Sequence, residues 1–142
     1  MSFLLKLIGV IWTLPNTLFG SLIGLVGVLA GGKMQFVGGA IEYHGGLIRW
    51  LFSKLPQKNI HAMTLGHTIL GINAQSLQVA REHEHVHVRQ YERWGPLFIP
   101  AYLLSSLYMK LKGKDPYFDN PFEVEAYAVS SPSFDFPEDD NV

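Results

Sequence analysis

Arg81-Glu82-His83-Glu84-His85-Val86-His87-Val88-Arg89-Gln90-Tyr91 contains a His-Glu-x-x-His pattern, and the reading of this stretch decides the fold. On a helix, residues four apart share a face, so His83 and His87 can offer imidazole nitrogens to one metal ion. Glu84 then stands beside that ion, where its carboxylate can take a proton from a water the ion polarises. Hydrolysis by a zinc-activated water needs these residue types at this spacing. A charged, solvated helix face with no metal is the plain alternative.

The stretch also alternates. Read as a strand, it puts His83, His85 and His87 on one face and Glu84, Val86 and Val88 on the other. His85-x-His87 followed by Glu92 then resembles the metal box of cupins, an all-β site. The helix is the better reading. No Gly or Pro occurs from Ser76 to Trp94, a run longer than most strands. Asn73 or Ser76 can cap its start, and Gly95-Pro96 can end it. Leu77, Ala80, Glu84, Val88 and Tyr91 recur at helical spacing, with His87 on the same side. His85 then points away and is not a ligand. The glycines that should flank a cupin box are missing.

The chain has 142 residues, enough for one domain with a core. It is 48% hydrophobic with a formal net charge of -1, which argues against general disorder and gives no electrostatic case for binding nucleic acid. It has no cysteine, so disulfides and Cys-based zinc sites are excluded. Any zinc must be held by His and carboxylate.

Leu7 to Gly32 is a run of 26 uncharged residues, and about 20 suffice to cross a bilayer. Pro15-Asn16-Thr17 interrupts it, so a kinked span or two short helices in an interfacial hairpin are both expected forms. A secretory signal and a glycine-rich core hairpin compete with them. Gly20-x-x-x-Gly24 hints at close helix contact in lipid. Basic residues Lys33, Arg49, Lys54 and Lys58 follow the run, which places the rest of the chain on the cytoplasmic side of a membrane. The expected division is a membrane-associated segment over 1–32, a catalytic domain over 33–129 and a flexible acidic tail over 130–142.

Gly38-Gly39 separates two short strands, a hairpin signal. Leu47 to Leu55 reads as a short amphipathic helix, and Ile60 to Ile72 as β-rich. Thr64 to Ile72 is the expected sheet edge beside the cleft, where an extended peptide substrate could add a strand. His67 could steady an oxyanion there, or be a half-buried strand histidine with an ordinary hydrogen bond. His44 and His61 read as surface residues.

Two imidazoles do not complete a catalytic zinc site, which takes three protein ligands and a water. After a second, nearly uncharged helix from Gly95 to Met109 comes Asn120-Pro121-Phe122-Glu123-Val124-Glu125-Ala126-Tyr127. Asn120 can cap a helix with Pro121 at its first position. Glu123 and Glu125 lie about 200° apart around that helix, so only one can face a metal. Both could equally be helix-start carboxylates that favour the dipole.

A His-Glu-x-x-His helix, an intervening helix and a second helix with Glu-x-x-Ala resembles the gluzincin-type zinc metallopeptidases. The longer pattern, Ala80 to Pro96 with Asn120 to Tyr127, also resembles a group of small bacterial proteins of this layout. The resemblance implies His83 and His87 as zinc ligands, Glu84 as general base and Glu123 as third ligand, with Glu125 the alternative. Gluzincins usually carry Asp where this chain has Tyr127, and that Asp orients a ligand histidine. Asp119 or Glu92 could take its place. The expected molecule is therefore an α+β, zincin-like metallopeptidase. Its motif helix packs on a small antiparallel sheet, with an apolar N-terminal helical membrane element and a peptide or protein substrate. A non-catalytic membrane or scaffold protein with a relic metal site is the rival from another class.

Overall fold

A computed structural model describes residues 2–56 and 60–130. Among these residues the fold is α+β, with five α-helices and a four-stranded sheet. Helix α1 spans Phe3–Leu29, followed by strands β1 (Lys33–Val37) and β2 (Ala40–His44), helix α2 (Leu47–Ser53), and strands β3 (Ala62–Leu65) and β4 (Thr68–Gly71). The motif helix α3 (Ala74–Trp94) leads through a 3-10 turn (Gly95–Leu97) to α4 (Phe98–Leu111) and α5 (Pro121–Val129). The tail expected over 130–142 lies outside the described residues except for Ser130.

The β1–β2 hairpin turns at Gly38-Gly39, whose φ values of +58° and +85° suit the tight hairpin turn glycine allows. The sheet order is β1-β2-β4-β3. It is mixed rather than antiparallel, because β2 and β4 run parallel. The chain crosses from β2 through α2 and reverses once more at the β3–β4 turn, so β4 returns in the direction of β2. The expected single edge strand over Thr64–Ile72 is instead this hairpin. Its second arm, β4, is interior, and β3 is the edge. His44 and His61, read as surface residues, are half-buried.

The period of two in β4 sorts the core into two layers. Leu70 joins Tyr43, Leu65, Ile48 and Phe52 on the side of α1 and α2. Ile69 joins Ala40, Leu77 and Val88 on the side of α3. The sheet is thus covered on both faces, which allows all four residues of β4 to be buried.

Helix α1 is continuous through Pro15. Its buried residues are Gly9, Thr13, Gly20, Gly24 and Gly27, a seam down one face. A Cβ at Gly20 would come within 2.9 Å of Leu65 and Thr68, and one at Gly24 would enter the Tyr43 ring. The small residues read as a helix contact in lipid therefore let α1 lie against the sheet of its own chain.

Glu42 is fully buried on the α3 side of β2. Arg81 of α3 meets it with two hydrogen bonds of 2.9 and 3.0 Å, and Gln35 donates a third at 2.7 Å. Removing one partner of such a pair leaves an uncompensated charge in the interior. Arg81→Ala should lower unfolding free energy by about 3 kcal/mol, the low end for a buried pair because Arg81 is 32% exposed. Urea denaturation reads this directly, and Arg81→Ala combined with Glu42→Gln should recover part of it. A single variant as stable as the parent would mean that Glu42 does not depend on Arg81.

Candidate metal centre

Asn73 caps α3, its side chain accepting from Ser76 N at 2.7 Å, and Gly95 closes the helix. Within it His83 and His87 stand one turn apart, and their Nε2 atoms are 3.2 Å apart. Asn120 caps α5 through Phe122 N, with Pro121 in the first turn. The Asn120 amide also donates to Tyr102 O and Ser106 Oγ, which ties the start of α5 to α4. This anchoring brings Glu123 against α3. Its carboxylate oxygens lie 3.0 Å from His83 Nε2 and 3.4 Å from His87 Nε2.

His83, His87 and Glu123 are all buried and form a group that can hold a metal ion. Their spacing tests the fit. Ligands about 2.0–2.1 Å from a zinc ion at tetrahedral corners lie about 3.3 Å from one another. The two Nε2 atoms, 3.2 Å apart, match that edge, and Glu123 sets a different oxygen near each of them, Oε2 at 3.0 Å from His83 and Oε1 at 3.4 Å from His87. Two nitrogens and one carboxylate oxygen are also a donor set zinc accepts.

The histidine tautomer can be read from its neighbours. Gln90 Nε2 donates to Phe122 O at 3.0 Å and to Glu125 Oε2 at 2.8 Å, both pure acceptors, so the amide orientation is set. Gln90 Oε1 must then accept from His87 Nδ1, 2.8 Å away. The proton of neutral His87 is held at Nδ1, and Nε2 is left to face the centre. Outer partners of this kind orient ligands and raise their basicity. On the other side of the centre, the Tyr102 hydroxyl of α4 donates to Glu123 Oε1 at 2.7 Å. Burial first, then the Glu123 charge, push the Tyr102 phenol well above its ordinary range, so it stays a donor.

Electrostatics couple His87 to Glu123. Burial alone would lower the His87 pKa, but the hydrogen bond to Glu123 and the charges of Glu84 and Glu123 raise it from 6.5 to about 9. Burial would raise that of Glu123, but the imidazoles and Tyr102 bring it down to about 2. Without metal, the site is therefore an anionic carboxylate beside a protonated His87.

Glu84 is buried one residue after His83, and its Oε2 accepts from Thr64 Oγ1 of β3 at 2.6 Å. Tyr91 donates to Thr64 O at 3.2 Å, holding the edge strand to α3 just below the site. Tyr127, where a carboxylate stands in gluzincins, instead lays its ring 4.4 Å from that of His83.

The other candidate residues lie elsewhere. Glu125 binds Gln90 and Arg93. Glu92 pairs with His67 Nε2 at 2.9 Å, while His67 Nδ1 meets Thr13 Oγ1 of α1 at 3.0 Å. His67 thus sits in the β3–β4 turn as a strut to α1, with both ring nitrogens engaged. Exposed Asp119 accepts from Asp115 N and shapes the loop before α5. His85 reaches Arg81 O and Val37 O, on the hairpin side of α3. Because residues 74–94 are helical, His85 and His87 share no face, and the cupin arrangement does not occur. Gln90, Tyr102 and Thr64 are contributors the sequence reading did not pick out. Gln90 carries a local signal, an amide three residues after a ligand histidine. Tyr102 carries none.

Two outcomes are expected of zinc titrations with a competing chelator. Gln90→Ala and Tyr102→Phe should each weaken zinc binding by about 10–100-fold. Zinc must also displace the His87 proton. Affinity should therefore rise about tenfold per pH unit up to pH 9 and level off above it. The stability that His87 lends the metal-free chain has the opposite trend. It is full below pH 6.5 and is lost as pH rises through about 9. A zinc affinity that levels off already near pH 6.5 would contradict the His87–Glu123 coupling.

Comparison of the chain with protein-family models, with curated proteins and with solved structures gives no match.

Proposed function

We propose that this chain is a zinc-dependent metallopeptidase acting on peptide or protein substrates at the cytoplasmic face of a membrane. The observation that carries the reading is the buried group of His83, His87 and Glu123, whose ligand atoms lie within 4.8 Å of one another, with Glu84 adjacent in the same helix. The zincin-like fold belongs to this proposal. Its support is a motif helix packed on one face of the sheet and bonded to edge strand β3, with the third carboxylate on a later helix.

A bound zinc ion would supply acidification of a water and polarisation of a substrate carbonyl. The protein groups do the rest. His87 and His83 present Nε2, and Glu123 brings the negative charge that makes the cluster attractive to a divalent cation. Tyr102 and Gln90 hold that geometry. Glu84 takes a proton at its carboxylate and delivers it to the amine nitrogen leaving the broken peptide bond. Thr64 fixes the orientation of the Glu84 carboxylate by its 2.6 Å bond. Edge strand β3, which carries Thr64, is the natural place for an extended substrate to align.

One observation favours the rival reading of a non-catalytic metal protein. His83 is only 2% exposed and Glu123 3%, with Tyr102 against Glu123 and Tyr127 against His83. Closed sites of this kind are typical of structural zinc, and catalysis would require α4 and α5 to admit a substrate.

Glu84→Gln separates the two. In the peptidase reading it keeps zinc and loses about 10²–10⁴-fold in hydrolysis of a quenched fluorescent peptide library. Full activity in the variant would refute the assigned base. Bound zinc with no turnover of any library member by the parent chain would establish the non-catalytic reading.

A further inference from the structure

Helix α1 has the length and apolarity to cross a membrane, yet only 22% of its most apolar window is buried, so it is not a core helix. The seam from Gly9 to Gly27 covers about 27 Å of helix axis, nearly the hydrocarbon thickness of a bilayer. Folded protein lines all of that length. Gly9 lies on Glu92 of α3, Thr13 bonds His67, Thr17 bonds His67 N, Gly20 meets β3 and β4, and Gly24 meets Tyr43 of β2. If α1 crossed a bilayer in this arrangement, a carboxylate, a polar strut and open sheet edges would be immersed in hydrocarbon. Unpaired edge groups are not tolerated there. If α1 peeled away to cross alone, the core over Tyr43, Ile48 and Leu65 would be stripped.

The opposite face of α1 is apolar and open. Phe3, Leu4, Ile11, Leu18, Leu22 and Leu29 are each at least 60% exposed. Beside it, a wholly apolar groove of about 200 Å³ runs between Leu22, Ile23 and Val26 of α1 and Leu47, Ile48 and Leu51 of α2. Charge marks what covers this face. Residues 1–80 hold five Lys or Arg, and their single acid, Glu42, is buried against Arg81 on the α3 side of the sheet. Lys54 sits 5.8 Å from the exposed Trp50 ring at the end of α2, a pairing suited to a headgroup boundary.

We infer that α1 is a monotopic anchor. It lies in the plane of an anionic lipid surface, with its apolar face in the acyl boundary and its glycine seam on the domain. The inference rests on the membrane association proposed above and is independent of the metal chemistry. The groove beside α2 is of a size and character to take part of an acyl chain.

The absence of native cysteine makes the test clean. Ser2→Cys and Lys33→Cys, each alone, mark the two ends of the apolar run. Sealed membrane vesicles from expressing cells are treated with a membrane-impermeant maleimide before and after permeabilisation. An in-plane helix gives both sites the same accessibility, whereas a spanning helix gives them opposite accessibility and overturns the inference while leaving membrane association intact. In parallel, the unaltered chain is floated with phosphatidylcholine vesicles with and without roughly one-third phosphatidylglycerol. At least fivefold more chain should float with the anionic vesicles, and 1 M salt should reduce the difference. Failure to float with either vesicle, or a water-soluble dimer by light scattering that ignores vesicles, would overturn both the inference and the membrane reading. A dimer of that kind would show the face to be covered by a second copy.

Discussion

A buried carboxylate set between two imidazoles is the interaction on which the second half of the molecule depends. Glu123 loses most of its water on folding, and a lone anion so placed would be strongly destabilising. It is tolerated because α3 brings two imidazoles within 3.0–3.4 Å and α4 brings a phenol within 2.7 Å. The carboxylate therefore clamps three helices that the rings of Tyr91, Trp94, Phe98, Tyr102 and Phe122 also pack together. A divalent cation at the same point would replace the His87 proton and strengthen the clamp.

The first half obeys a different constraint, that of close approach. A seam of glycines lets α1 lie on a sheet whose other face is taken by α3, and the polar chain Thr13–His67–Glu92 joins α1 to the end of the motif helix. Helix α1 and the His83–His87–Glu123 group are therefore parts of one packed body. The edge strand β3 links them, since Leu65 touches the α1 seam while Thr64 holds Glu84.

What could be read from the sequence was local. Helix α3 announced itself by period, by the Asn73 cap and by Gly95, and α5 by Asn120-Pro121. The two histidines followed from their four-residue spacing. Glu123 rather than Glu125 was singled out by a resemblance, not by periodicity, and the structure shows the physical difference: Asn120 docks on α4 and turns Glu123 inward, while Glu125 is drawn out to Gln90 and Arg93. What was missed depends on distant partners. The β3–β4 turn carries only one glycine amid strand-forming residues, so the hairpin read as a single strand. The parallel pairing of β2 with β4 is set by a crossover. Tyr102 meets Glu123 only because of how α4 packs. The α1 glycines announced a close contact but not its partner, which proved to be the chain's own sheet.

We propose that His83, His87 and Glu123 together hold one zinc ion. Metal content of purified chain, prepared free of chelator, tests it most directly, with His83→Ala, Glu123→Ala, His85→Ala and Glu125→Ala measured beside the parent. One zinc per chain is expected in the parent. It should be lost in the first two variants and kept in the last two, because His85 and Glu125 turn to other partners. A parent chain without metal, or zinc that survives loss of Glu123 and departs with His85, would contradict it.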